Sequence, residues 1–177
     1  MRGATFTSAP HWHIASTDKS TLKSANYELI LETTCSTLHN GTEAEVSQLK
    51  AKAIHLGETP ELYYPFGFPP LPLAMTVSDL DKMLFRHAIP VRFLKGIYGT
   101  LLEPKAIYKS RTRPASVGAS AIVLSFESIH LGPIVVAMHA DLKLGRDRVN
   151  MVKSIYAKED KSFESEWREE GLLLWHR

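Results

Sequence analysis

The stretch NMVKSIYAKED, residues 150–160, decides how this chain is read. In an extended strand the side chains alternate, so Asn150, Val152, Ser154 and Tyr156 share one face and Met151, Lys153 and Ile155 the other. Met151 and Ile155 suit a buried side. The opposite side then carries an amide, a hydroxyl and a phenol around Val152. That pattern fits a solvated face, and it fits equally the floor of a site.

Three further strand-like segments precede it: KAIYKS (105–110), ASAIVLSFE (119–127) and GPIVVAMHAD (132–141). The connections contain Pro114, Gly118, Gly132, Pro133 and Gly145. Connections this short suit antiparallel neighbours. Ile122, Leu124 and Phe126 fall on one side of their strand, as do Ile134, Val136 and Met138 on theirs. If the strands align, the other side collects Ser125, Glu127, His139, Asp141, Asn150, Ser154 and Tyr156.

Upstream of the strands, TVSDLDKMLFRHAIP (76–90) reads as a helix. Thr76 is a good N-cap, Val77, Leu80, Met83 and Leu84 share a face, and Pro90 stops the helix near His87. VRFLKGIYGTLLEP (91–104) reads as a second helix weakened by Gly96 and Gly99. A short helix over 161–171 and an edge strand LLLW (172–175) close the chain. Helices followed by a strand meander imply an α+β domain, its helices packed on one face of a four-stranded antiparallel sheet.

The first 60 residues read as an extension, and 61–177 as the main domain. Residues 1–20 are polar and weakly patterned, without the apolar core of a signal peptide. His11 and His13 flank a tryptophan there, a weak metal-binding signal beside a plain polar terminus. NYELILETT (26–34) alternates and predicts a half-exposed strand. TEAEVSQLKAKAIHLG (42–57) predicts one helix, with a Thr42–Glu45 capping box and Gly57 as its stop. TPELYYPFGFPPLPL (59–73) holds five prolines, which predict an extended linker whose aromatics pack onto the domain.

Composition narrows the function classes. The chain has 177 residues, 44% hydrophobic and 23% charged, the balance of a soluble globular protein. A net charge of +2 does not by itself mark a nucleic-acid binder. Local clusters are stronger. Lys105, Lys109, Arg111 and Arg113 follow one another without an acid, and Lys143, Arg146, Arg148 and Lys153 have only Asp147 among them. Such charges suit a phosphate backbone, and they also suit the ordinary protection of strand edges. Cys35 is alone, so no intrachain disulfide forms. No apolar run is long enough to span a membrane.

The chain contains no P-loop, G-x-G-x-x-G, H-E-x-x-H, C-x-x-C or G-x-S-x-G. No metal cluster and no cofactor are expected. What remains is side-chain acid and base chemistry. RNA cleavage needs little more: a base for the 2′-hydroxyl proton, a cation for the phosphorane charge and an acid for the leaving oxygen. His87, His130 and His139 are the histidines near the polar face. His87 equally fits a plain helix end, and His139 beside Asp141 equally fits a surface strand.

The ordered segments LPLAMTVSDLDKMLFRHAI (71–89), LLEPKAIYKS (101–110), AIVLSF (121–126), PIVVAMHAD (133–141) and VNMVKSIYAKE (149–159) resemble the C-terminal toxin-like domain of phage MuF proteins. Those proteins fall within the barnase–EndoU–colicin–RelE-like (BECR) ribonuclease superfamily. The resemblance covers about residues 61–175. It implies helices on a four-stranded antiparallel sheet and a metal-independent ribonuclease toxin of phage or bacterial conflict. It further implies an RNA substrate such as tRNA, an immunity protein or antitoxin as partner, and action in the cytoplasm or in that of a target cell. His87 matches the helix-ending histidine, Ser110 the strand-ending serine, and Asn150, Ser154 and Tyr156 the strand signature.

The resulting expectation makes His87, Ser154, Tyr156 and Lys109 catalytic, with Ser110, Arg111, Asn150, His139 and Arg148 binding substrate. Lys109 and Ser110 alternate apart in an ideal strand, so using both requires a bulge. Two other readings compete. One is a non-catalytic nucleic-acid or protein-binding module on the same fold. The other is ADP-ribosyl transfer, for which Glu127 is the available glutamate.

Overall fold

Seven strands form one sheet in the computed structural model, which describes residues 19–111, 121–128, 131–160 and 162–177. In chain order the elements are α1 (Lys19–Asn40), α2 (Glu43–Lys50), β1 (Ala53–Glu58), a 3-10 turn (Glu61–Phe66), β2 (Pro72–Thr76), α3 (Val77–Asp81) and a π turn (Lys82–Arg86). Then come α4 (Val91–Lys95), α5 (Ile97–Leu102), β3 (Ala106–Lys109), β4 (Ala121–Ser128), β5 (Gly132–Leu144), β6 (Asp147–Ala157), α6 (Phe163–Glu169) and β7 (Leu173–His176). The sheet order is β1-β2-β6-β5-β4-β3-β7.

The protein is thus a mixed α+β fold, and its sheet is larger than the four strands expected. The four anticipated strands form an antiparallel meander, β3 to β6. β7 pairs antiparallel with β3, as an edge strand should. The two extra strands, β1 and β2, pair with each other, and β2 runs parallel to β6. They come from segments read as the end of a helix and as a linker. The helix begins with the anticipated capping box: Thr42 N–H donates to Glu45 Oε2 at 2.8 Å and Glu45 N–H to Thr42 Oγ1 at 3.4 Å. It ends at Lys50, seven residues before Gly57. Gly57 lies inside β1 at φ 155, and a Cβ there would stand 2.7 Å from the Tyr98 ring. Its role is close approach, and it is no helix stop.

The segment 26–34 is helical, which corrects the strand expected there. Tyr27 and Leu31 are buried, Thr34 follows them, and Leu29 and Ile30 are exposed. Positions 27, 31 and 34 repeat at the helical period, and the alternation of 27, 29 and 31 coincides with it over a short window. Tyr27 Oη donates to Leu94 O at 2.7 Å, fixing α1 to α4. Burial raises the Tyr27 phenol pKa, so it remains a donor.

The proline-rich segment is also more structured than an extended linker. Tyr63 in the 3-10 turn and Phe68 beyond it are buried, and Tyr63 Oη donates to Leu101 O. One hydrophobic core joins residues on both sides of the prolines: Tyr27, Leu31 and Ile54 before them, Leu80, Leu94, Ile97, Leu101, Val136 and Ile155 after. α4 and α5 span 5 and 6 residues. Helices that short are unstable alone. Burying Leu94, Ile97 and Leu101 completely, at about 1.5–3 kcal/mol each, holds them. On the other sheet face α6 places Phe163 and Trp167 against Ala106, Tyr108, Val123 and Val135.

Candidate functional site

β6, which carries Asn150, Ser154 and Tyr156, contains a bulge. Ala137 of β5 pairs with Ser154, and the next residue, Met138, pairs with Val152. Lys153 is the extra residue. A bulge shifts the alternation by one. Val152 and Ile155 therefore both enter the main core. Ser154 and Tyr156 lie on the opposite face, where Tyr156 joins the cluster around Val135 and Phe163. Asn150, before the bulge, keeps company with Val152. This corrects the expectation that Asn150, Ser154 and Tyr156 share one open face.

Asn150 is fully buried and structural in its contacts. Its Oδ1 accepts from Asp141 N–H at 2.9 Å. Its Nδ2 donates to Thr59 Oγ1 and Pro69 O, each at 2.8 Å. It ties β6 to β5 and to the proline-rich segment.

His87 reaches the face of Ser154 and Tyr156 from the side. The π turn ends with His87 N–H donating to Lys82 O at 3.0 Å, a five-residue step. Ala88 then adopts φ 52, and Ile89 N–H returns to Met83 O at 2.9 Å. This closure turns the half-buried imidazole onto Tyr156, with ring centroids 5.8 Å apart and tilted by 42°. Burial raises the Tyr156 pKa, so its hydroxyl remains protonated. The left-handed conformation at Ala88 costs about 1–2 kcal/mol in Cβ crowding. Ala88→Gly is expected to stabilise the protein by roughly 0.5–1 kcal/mol after glycine's entropy cost is subtracted. Chemical denaturation checks it.

His139 lies on the same face, two residues along β5 from the Ala137 that pairs with Ser154. It is half-buried. Burial and then the nearby Lys153 ammonium lower its pKa below the ordinary 6.5, with Asp79 opposing. The folded state therefore binds fewer protons here than the unfolded chain. This contribution to stability is complete above pH 6.5 and is lost as pH falls through the lowered value. Denaturation from pH 7.5 down to 5 is expected to show a loss of stability that His139→Gln reduces. Asp141, expected beside His139, instead sits at φ 57 and binds Arg148.

Residues 79–177, more than half of the chain, match the family described as phage MuF-C-terminal domain. The chain belongs to that family. No curated protein and no solved structure matches it. The matched region of this MuF C-terminal domain begins inside α3 and contains the π turn, His87 and the strands from β3 to β7.

The remaining anticipated residues of the MuF domain stand apart from His87. β3 is three strands from β6, about 14 Å at ordinary strand spacing. Tyr108 lies on the face of Ser154, and Lys109 alternates to the other. The register of β3 with β4 is continuous from Ala106 through Lys109, and the irregularity against β7 places its extra residue, Leu174, in β7, so no bulge in β3 turns Lys109. Arg111 pairs with Glu170 through two nitrogens, and half-buried Ser110 lies between Lys109 and Arg111 in sequence. Arg148 is bound to Asp141 near the β5–β6 hairpin. Glu127 is exposed and pairs with Lys105 at 3.0 Å. It lines a cavity of about 500 Å³ with Phe93, Phe126 and Arg177. His11, His13, His130 and Arg113 lie outside the described residues. Among the described residues no three His, Cys, Asp or Glu side chains gather as metal ligands, and no helix is long and apolar enough to cross a membrane.

A charged cluster missed in the sequence adjoins this site. Lys153 Nζ lies 2.6 Å from Asp79 Oδ2, and the same carboxylate oxygen accepts from Thr76 Oγ1 at 2.6 Å. Lys82 Nζ lies 3.5 Å from Asp79 Oδ1. Asp79 is the acid of the first turn of α3, and nothing in strand alternation pointed Lys153 towards it.

Proposed function

We propose that this MuF C-terminal domain is a metal-independent endoribonuclease toxin of the barnase–EndoU–colicin–RelE-like superfamily. The observation that carries the reading is His87 against Tyr156, on the face shared with Ser154. An imidazole accepts or delivers a proton near neutral pH. In the proposed reaction a base removes the 2′-hydroxyl proton and that oxygen attacks phosphorus. A 2′,3′-cyclic phosphate forms, and an acid protonates the departing 5′-oxygen. His87 takes one of these proton roles. Ser154 and the protonated Tyr156 donate hydrogen bonds to phosphate oxygens, and the Tyr156 ring offers a base a stacking surface. RNA such as tRNA is the substrate class, and an immunity protein or antitoxin the partner of a toxin of this kind.

Incubating the purified protein with total RNA in EDTA tests the reading. Discrete fragments are the expected result. Intact RNA together with salt-sensitive binding would replace the nuclease by a binding module.

A further inference from the structure

The Asp79 cluster carries more positive charge than it needs. The Asp79 side chain is 4% exposed, so its charge requires a partner inside the protein. One lysine would neutralise it. Two ammoniums, Lys153 and Lys82, stand against it, leaving a net charge of +1 at the edge of the site. Lys153 gets there only because the bulge releases it from the alternation of β6. Its ammonium has three hydrogens. One goes to Asp79, and a second, weaker contact is Met151 Sδ at 3.7 Å. Its side chain is 31% exposed, so a ligand can reach it. His139 stands opposite Met151 on β5, and Ser154 follows Lys153 directly in β6. Lys109 and Arg111, the cations expected from sequence, are three strands away.

We propose that Lys153, held in place by Asp79, and His139 form the anion subsite of this face, which takes one phosphate group of the substrate. The proposal rests on the nuclease reading for the identity of that substrate, and on the bulge and the Asp79 cluster for the subsite itself. Lys153 supplies fixed positive charge to the phosphate. Asp79 touches no ligand and acts as a positioning residue. Burial and the Lys153 charge lower the His139 pKa against the opposing Asp79, which favours the neutral ring. Bound phosphate dianion favours its protonated form, so the ring reports occupancy. Lys82 belongs to the same cluster; of the other ionisable groups on the α3 and π-turn side, Asp81 is paired with Lys50, Arg86 lies in the π turn and His87 packs on Tyr156.

Titration of the full chain with inorganic phosphate, followed by NMR of the His139 and His87 rings over pH, tests this. In the wild type, phosphate is expected to bind saturably and to raise the pH midpoint of His139. Lys153→Gln is expected to weaken phosphate binding roughly tenfold to a hundredfold, the cost of one charged hydrogen bond. The double variant Asp79→Asn/Lys153→Gln leaves no buried carboxylate unpaired and restores the net +1 through Lys82. It is expected to remain as weak as Lys153→Gln, because placement and not total charge makes the subsite. Lys153→Arg keeps the charge and is expected to recover part of the affinity. Wild-type affinity in Lys153→Gln, recovery in the double variant, or a His139 ring indifferent to phosphate would each overturn the proposal. Phosphate binding by a protein that leaves RNA intact in EDTA would sink the nuclease reading and leave the subsite standing. RNA cleavage unaltered by Lys153→Gln would do the reverse.

Discussion

Replacing His87 with alanine is expected to slow RNA cleavage by about 10²- to 10⁴-fold, the usual worth of a positioned acid or base. Stability should change little. The imidazole is half-buried, and its clearest packing partner is one tilted ring contact to Tyr156. Such a contact contributes about 0.5–1.5 kcal/mol. The backbone closure that positions His87 uses main-chain groups of Lys82, Met83 and Ile89, which alanine leaves in place. Initial rates in EDTA, set beside denaturation curves of the same preparations, separate the two effects. Tyr156→Phe keeps the ring under His87 and removes only the hydroxyl, so a smaller loss of rate is expected from it. A His87→Ala protein that cuts at the wild-type rate would remove the histidine from the chemistry.

Asn150→Ala is expected to cost about 2–4 kcal/mol of stability, through loss of structure and not of substrate contact. Three hydrogen bonds end on this one fully buried amide. Alanine leaves the Asp141 N–H and the Pro69 carbonyl without that partner, and a buried unsatisfied group costs about 1–3 kcal/mol. Asp141 is held at φ 57, so the irregular part of the β5–β6 ladder loosens too. Asn150→Asp keeps the acceptor but sets a buried carboxylate oxygen against the Pro69 carbonyl, and is expected to cost at least as much as alanine. Urea denaturation gives the numbers. A loss below about 1 kcal/mol would mean that water replaces the amide and that the proline-rich segment is anchored elsewhere.

These two residues show what the sequence made legible. His87 was placed correctly at the end of a helical segment because Thr76, the apolar spacing and Pro90 are local signals. Its approach to Tyr156 is a tertiary event that those signals only permit. The four meander strands were legible from apolar alternation and turn residues. β1 and β2 were not. β1 follows a genuine capping box and was absorbed into its helix, and β2 sits at the end of a proline-rich run. Their pairing, and the parallel contact with β6, join residues distant in the chain. Asn150 was misplaced because one inserted residue inverts the face of everything beyond it, and no residue type in VKS marks a bulge. The same insertion hid Lys153. The 26–34 segment failed for a different reason: a two-residue and a four-residue period overlap at Tyr27 and Leu31, and only the full length of α1 separates them.

Cleavage of RNA through the neighbouring 2′-hydroxyl, as proposed for the face around His87 and Tyr156, leaves distinctive ends. Mass spectrometry of the ends left on a short RNA cut in EDTA tests it most directly. A 2′,3′-cyclic phosphate on one fragment and a 5′-hydroxyl on the other are expected, and an uncut strand when the ribose at the cleavage position carries a 2′-O-methyl group. Fragments bearing 5′-phosphate and 3′-hydroxyl ends, or cleavage of the methylated strand, would contradict it.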